Sequence, residues 1–338
     1  MNVKMWGLVC AAVVAVTAGG GGHAQNRPIM KPAQTRPATA ATKPATAKPA
    51  QATPATTVTK PAATESMKEF ADRMVLELAL AAAVELHKTP GNEIDNRELL
   101  NLVYFDPDAT ADQKARARKM MTELNAATIF GKKVFDGDEL AYAYTVKKGD
   151  TLSGLAKRSG CPVAIIRQIN GMKPADVLQA DRKIKLLRGP FHAQVNKADC
   201  TIDVFALTTS TDGEQTKTLV YHARVAVGKN NGTPVGLFRI AAKAEKATWY
   251  PPASMKATHP NPIKWGEKDY PLGKEGIFMR LTGAEPATEK LTGYGIHSTS
   301  DQASIGRAQS HGCVRIGDKD IRQIFNLLAD GSEVRIVP

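Results

Sequence analysis

Apolar and polar positions change their period several times along the chain. After a single charge, Lys4, residues Trp6 to Val16 form an apolar run, and Thr17 to Gln25 are small or polar. Residues 25–64 carry almost no large apolar side chain. From Glu65 to about Lys88, Phe70, Met74, Val75, Leu78 and Ala82 recur at helical spacing and predict a helix, stopped by Pro90-Gly91. Asn96 to Val103 predicts a second helix. Asp108 to Ala127 predicts a third, with Met120, Leu124 and Ile129 at helical offsets. His87 reads as a surface residue of a small module that supports or spaces the downstream domains.

Between 142 and 188 the elements shorten. Tyr144-Thr145-Val146 predicts a strand, and Lys148-Gly149-Asp150-Thr151 a turn with a cap residue. Leu152, Leu155 and Ala156 mark a short helix broken by Cys161-Pro162. Val163, Ile166 and Ile169 mark a second, ended by Asn170-Gly171 as a left-handed stop. Lys183 to Leu187 alternates as a closing strand. The order is strand, helix, helix, strand. From Phe191 onward the period falls to two. Thr201–Leu207, Leu219–Val227, Leu237–Ala241 and Val334–Val337 predict strands, with Gly213 in a polar turn. Asp318 to Ala329 predicts one amphipathic helix, with Asp318 as N-cap and Gly331 beyond its end.

Composition changes the picture in one place. The 338 residues carry 45 Lys plus Arg and 33 Asp plus Glu, a net charge of +12 that invites a nucleic-acid reading. Yet Lys4, Arg27, Lys31, Arg36, Lys43, Lys48 and Lys60 precede the first acid, Glu65, so the rest carries 12 − 7 = +5. The excess belongs to a Lys/Pro/Ala/Thr tether, and no nucleic-acid partner is expected. Such a tether has too few apolar side chains to offset ordering entropy. The first 24 residues have the three regions of a secretory signal, with Gly22-His23-Ala24 as one cleavage site and Val16-Thr17-Ala18 as another. The chain therefore divides into leader 1–24, tether 25–64, helical segment 65–141, small α+β module 142–188 and a mainly-β domain 189–338. Membrane contact is expected only through an uncleaved leader.

The chemistry concentrates near the C-terminus, in Ile296-His297-Ser298 and Ser310-His311-Gly312-Cys313-Val314-Arg315. A thiol is a nucleophile only as thiolate, and a nearby His supplies the base. Backbone N–H groups at Gly312 and Cys313 suit an oxyanion, and Arg315 suits a carboxylate. The residues alone leave three options open: a Cys–His nucleophile, a metal site, or buried structure.

Tyr144-Thr-Val-Lys-Lys-Gly-Asp-Thr-Leu-Ser-Gly-Leu-Ala, Ile169-Asn-Gly and Lys183-Ile-Lys-Leu resemble a LysM module. That resemblance implies binding to N-acetylglucosamine-containing glycan of peptidoglycan. The implied groove lies between Gly149, Asp150 and Thr151 on one side and the loop starting at Met172 on the other. Asp181 stands where the family usually has Gly. Ile296-His297-Ser298 and Ser304 to Arg315 resemble the signature of the L,D-transpeptidase (YkuD) catalytic domain. Val227-Gly228, Thr233-Pro-Val-Gly-Leu-Phe238 and Pro271-Leu-Gly273 resemble its upstream elements.

The second resemblance implies a β-sandwich-like fold with one helix and an exported peptidoglycan enzyme of the cell envelope or periplasm, acting in wall organisation and cell shape. It implies Cys313 as nucleophile, His297 as proton donor and acceptor, Ser298 orienting His297 through its carbonyl, and Gly312 in the oxyanion site. Arg315, Ser310, His311, Tyr270 and Trp265 are the expected substrate contacts, with Ser310 and Arg315 holding either the turn or a substrate carboxylate and His311 shaping the site, and no metal or cofactor is implied. The implied reaction forms 3→3 crosslinks. Alternatives are a carboxypeptidase or endopeptidase, transfer of stems to an envelope protein, and a catalytically silent wall-binding protein. Cys161 and Cys200 are a candidate disulfide across the module boundary.

Overall fold

The computed structural model describes residues 67–209, 215–252 and 255–338. The leader, the tether and the Gly213 turn lie outside the described residues.

Helices α1 (Met67–His87), α2 (Glu93–Phe105) and α3 (Ala111–Thr128) pack as one module. On α1 the predicted stripe is only partly inside: Ala82 is buried and Val75 packs against the core, but Met74 and Leu78 are exposed, at 39% and 55%, and Leu76, Ala79, Leu80, Ala83 and Leu86 fill the buried face. This helix is apolar over more than one stripe, so periodicity alone does not choose the face that α2 covers. On α3, Met121 rather than Met120 is fully buried. Helix α3 opens on a capping box. Thr110 Oγ1 accepts the Gln113 N–H at 3.2 Å, and the Gln113 side chain accepts the Thr110 N–H at 2.9 Å. His87 is exposed and lies 3.4 Å from Glu123.

Strand β1 (Ala141–Thr145), helices α4 (Leu152–Ser159) and α5 (Val163–Asn170), and strand β2 (Lys183–Leu187) come next. The two strands pair antiparallel. Gly160 and Gly171 end the helices at φ +70° and +62°, in the region that favours glycine. Asp181 occupies the same region at φ +66°, and its N–H donates to the Val146 carbonyl at 2.8 Å. Aspartate tolerates that conformation at a cost glycine avoids. Asp181→Gly is expected to raise the unfolding free energy by roughly 0.5 kcal/mol, visible as a higher urea midpoint at constant slope. A lower midpoint would show that the Asp181 side chain contributes more than its backbone costs.

The remaining strands are β3 (Phe191–Asn196), β4 (Thr201–Thr209), β5 (Gln215–Gly228), β6 (Gly236–Ala244), β7 (Phe278–Gly283), β8 (Gly295–Ser298), β9 (Ala308–Ser310), β10 (Val314–Ile316) and β11 (Glu333–Val337). They form one nine-stranded sheet in the order β10-β8-β7-β6-β11-β3-β4-β5-β9. Strand β10 also pairs with β5, so the sheet closes on itself. This corrects the sandwich expectation: the core lies inside a barrel-like sheet. Strand β5, at 14 residues and with a register shift opposite Val204/Phe205, is long enough to curl round to β10.

Helix α6 (Asp318–Leu327) buries Ile321, Ile324 and Leu327. Its N-cap is Gly317, not Asp318. The Asp318 N–H is instead satisfied by Gln302 Oε1 at 3.1 Å, a partner from another loop that local spacing does not reveal. At the other end Lys243 Nζ, from β6, donates to the carbonyls of Phe325 and Leu328.

The three parts share buried contacts. Asn101 Oδ1 accepts the Leu219 N–H at 2.7 Å, and the Asn125 amide donates to the Leu219 carbonyl at 2.7 Å, so α2 and α3 grip β5. Tyr104 donates to Asp203 at 2.8 Å. Lys185, 2% exposed on β2, donates to the carbonyls of Thr128, Gly131 and Lys133 at 2.5, 2.9 and 2.9 Å. Gln168 of α5 meets Gln323 of α6 at 3.1 Å. Cys161 and Cys200 are both buried free thiols, so the candidate bridge is not formed. Their sulfurs face the Pro162 and Lys197 carbonyls instead.

Candidate active site

Strands β8 and β10 run parallel, with Ile296 opposite Val314, His297 opposite Arg315 and Ser298 opposite Ile316. Side chains alternate between the faces of a sheet. Ile296, Ser298, Val314 and Ile316 are buried to 1% exposure or less and fill the core. His297, Arg315 and Cys313, the residue before β10, therefore share the opposite face. All three are half-buried.

The His297 ring is held from two sides. Its Nδ1 lies 2.6 Å from the Ser298 carbonyl. Phe278, directly opposite on β7, stacks on it with centroids 5.9 Å apart and planes at 16°. A carbonyl only accepts, so Nδ1 carries the proton and Nε2 is left as the acceptor. The Ser298 hydroxyl donates to the Leu272 carbonyl and accepts the Ile277 N–H at 2.9 Å. It thereby ties the Pro271-Leu272-Gly273 turn and the start of β7 to the histidine strand.

Burial is the main cause of both pKa shifts at the site. It pushes His297 down to about 4, with Arg315 lowering it further and the Ser298 carbonyl opposing. It pushes the Cys313 thiol up, against the Gly295 N–H and Arg315. At neutral pH the site thus rests as neutral imidazole and neutral thiol.

The cysteine loop is shaped by backbone bonds. Ser310, 1% exposed, donates to the Cys313 carbonyl at 2.6 Å and accepts the Gly312 N–H at 3.1 Å. The Ser310 hydroxyl and the Gly312 N–H are thus engaged with each other inside the loop, which fits the reading of Ser310 as a residue that holds the turn. Gly312 sits at φ +141°, and a Cβ there would lie 3.0 Å from the Gly232 carbonyl oxygen and 3.1 Å from the Tyr294 ring. No other residue fits without moving both neighbours. Cys313 Sγ lies 3.8 Å from the Gly293 carbonyl.

Arg315 reaches Asp301 at 3.3 Å and lies close enough to both His297 and Cys313 to influence them. His311 is exposed beside the loop. Tyr270 donates to the Ala247 carbonyl, and Trp265 Nε1 to Lys274 O at 2.9 Å, under Lys246. Their polar atoms brace the 245–280 segment.

In the small module Gly149 turns at φ +89° with open space around it, and Thr151 caps α4 by accepting the Gly154 N–H at 3.0 Å. Asp150 accepts from the Lys147 N–H and Tyr144 at 2.8 Å each and from Arg158 at 2.7 Å. The Lys147 N–H is the main cause holding its pKa at about 2. Asp150 therefore fixes the turn. Met172 is 8% exposed, so its side chain is packed inward rather than presented to a glycan.

Spacing does not single out Phe278, Tyr294 or Thr233 for the site. Phe278 reaches it through strand register, opposite His297, and Tyr294, just before β8, by packing against Gly312. Thr233 has a signal in its Thr-Pro-Val-Gly element. A separate cleft of about 1300 Å³, lined by Tyr104, Asp203 and His222 among others, lies between the helical module and β3–β5. None of the expected site residues lines it. Among the described residues no group of three or more His, Cys, Asp and Glu side chains is placed to hold a metal ion. No helix among them is long and apolar enough to cross a membrane.

Residues 190–336 match the model of the L,D-transpeptidase catalytic domain (YkuD), and 144–186 match that of the LysM domain. Two Bacillus subtilis (strain 168) proteins are similar. One, named "Putative L,D-transpeptidase YqjB", is 32% identical over 33% of this chain and 56% of its own length. Another, named "Putative L,D-transpeptidase YkuD", is 28% identical over 57% of this chain and 97% of its own length. The chain spans about half the length of the first two curated relatives it matches, at 56% and 51%. Among solved structures, an L,D-transpeptidase from Mycobacterium smegmatis aligns at 19% identity and a TM-score of 0.31, covering 47% of this chain and 64% of that one. Residues 190–336 of this chain are thus a YkuD-family L,D-transpeptidase catalytic domain, with a LysM domain N-terminal to it at 144–186.

Proposed function

We propose that this chain is an exported peptidoglycan L,D-transpeptidase that forms 3→3 crosslinks through a Cys313 thioester. The supporting observation is the proton arrangement at His297. Its Nδ1–H is committed to the Ser298 carbonyl at 2.6 Å, so Nε2 is the base, on the face that Cys313 shares.

In the first step the Cys313 proton passes to His297 Nε2 as the sulfur attacks the carbonyl of the third stem residue. The S–C bond forms, the Cys313 N–H receives the oxyanion, and the C–N bond to D-alanine breaks. The imidazolium returns the proton to the leaving amine. In the second step the side-chain amine of another stem attacks the thioester. The amide forms, and the thiol is regenerated. Arg315 offers the guanidinium edge turned away from Asp301 to a stem carboxylate. The LysM turn at Gly149 to Thr151 and the loop after Met172 hold the glycan through backbone groups. The leader carries the chain to the envelope and the tether spaces it there.

Purified protein incubated with a disaccharide tetrapeptide and followed by mass spectrometry should yield dimers with loss of D-alanine. Tripeptide monomers alone would replace crosslinking with hydrolysis. Unchanged products from Cys313→Ala would defeat the nucleophile.

A further inference from the structure

We propose that Thr233 is a positioning residue for the oxyanion site. It acts by holding the peptide plane that ends in the nucleophile's own N–H. The inference rests on the Cys313 thioester reading and adds a residue to it.

Thr233 is 1% exposed and lies far from the cysteine in sequence. Its hydroxyl has both roles filled: Oγ1 donates to the Gly312 carbonyl at 2.7 Å and accepts the Gly228 N–H at 2.7 Å. Pro234 follows it and disfavours helical backbone at Thr233. Gly228 ends β5, and a Cβ there would come within 2.4 Å of the Thr233 nitrogen. The approach of the two chains therefore depends on glycine at 228.

The Gly312–Cys313 peptide is trans. In a trans peptide the C=O and the following N–H point in opposite directions within one plane. Fixing the Gly312 oxygen fixes the direction of the Cys313 N–H, away from Thr233. Ser310 pins the next bonds on either side, the Gly312 N–H and the Cys313 carbonyl. The middle peptide is left with Thr233 as its anchor. Donation to a carbonyl also polarises the amide and strengthens its N–H as a donor. An oxyanion donor works by being in place before charge develops, and Thr233 supplies that condition.

Acyl transfer and alkylation separate this role from mere packing. Alkylation of Cys313 by iodoacetamide needs the thiolate but builds no oxyanion. Acylation by p-nitrophenyl acetate forms a thioester, releases nitrophenolate and passes through an oxyanion. Thr233→Val keeps the volume and removes the hydroxyl, while Thr233→Ser keeps the hydroxyl. Removing an oxyanion donor outright costs roughly 10²–10³-fold, so losing its anchor should cost about 10–100-fold. We expect T233V to slow acylation by that factor, with alkylation within about twofold of wild type and T233S within about threefold in both. An equal loss in both reactions would assign Thr233 to loop folding and overturn the proposal. So would unchanged acylation. Because nitrophenyl acetate is not a stem peptide, wild-type acylation at Cys313 tests Thr233 even if stem crosslinking fails. Failure of wild type to acylate at Cys313 would sink the nucleophile assignment itself.

Discussion

His297→Gln is expected to lower the rate of Cys313 acylation by roughly 10³-fold, in the range for loss of a positioned general base. The Gly293 carbonyl, 3.8 Å from the thiol sulfur, can accept a hydrogen bond but is too weak a base to take the proton. Burial raises the thiol pKa, so little thiolate exists at neutral pH without the imidazole. Glutamine keeps a polar side chain on β8 and the Phe278 contact, which isolates the proton from the packing. The wild-type pH profile carries a second part of this prediction. His297 is the base only when neutral, and burial holds its pKa down to about 4. Activity should therefore persist as pH falls through 6.5, the ordinary histidine value, and decline only on approaching 4. Single-turnover acylation followed by mass spectrometry across that range tests it. An acid limb near 6.5 would mean a solvated imidazole and would contradict the desolvation of the half-buried, Phe278-stacked ring.

The second large effect lies far from the chemistry. Arg97 and Asp138 form a bidentate pair at 2.6 and 3.2 Å, at 2% and 0% exposure, between α2 and the segment leading into β1. Asp138 also accepts the Leu140 N–H at 2.8 Å, and Lys185 lies close enough to feel both charges. Arg97→Met leaves a buried carboxylate without its main partner and should cost about 3–5 kcal/mol. The double variant Arg97→Met, Asp138→Leu should be more stable than R97M alone, because the stranded charge is gone. Urea denaturation of wild type, Arg97→Met, Asp138→Leu and the double variant measures the coupling. Additive losses would show that the pair is not a coupled unit. The same experiment asks whether the helical module is part of the catalytic body. A single shared transition is expected, since Asn101 and Asn125 hold β5 by its backbone.

Local spacing encodes what a short stretch can settle alone. The helix stops at Gly160 and Gly171 need only a residue that accepts positive φ, and Thr110 with Gln113 caps α3 three residues apart. Three helices, a strand-helix-helix-strand module and a strand-rich domain are therefore legible in the chain itself. So are His297 and Cys313 as the candidate chemistry. Which face of α1 is inside depends on packing, because several apolar stripes are available and contact with α2 selects one. Closure of the sheet through β5 and β10, rather than stacking as two layers, is likewise a long-range outcome. Folding also engages the Ser310 hydroxyl and the Asp150 carboxylate inside their own loops, through partners that the sequence does not name. It adds Phe278 and Thr233, whose partners at His297 and Gly312 are set by strand register and by a bond across 79 residues. No local period carries such pairings. They exist only once long-range closure has placed the strands side by side.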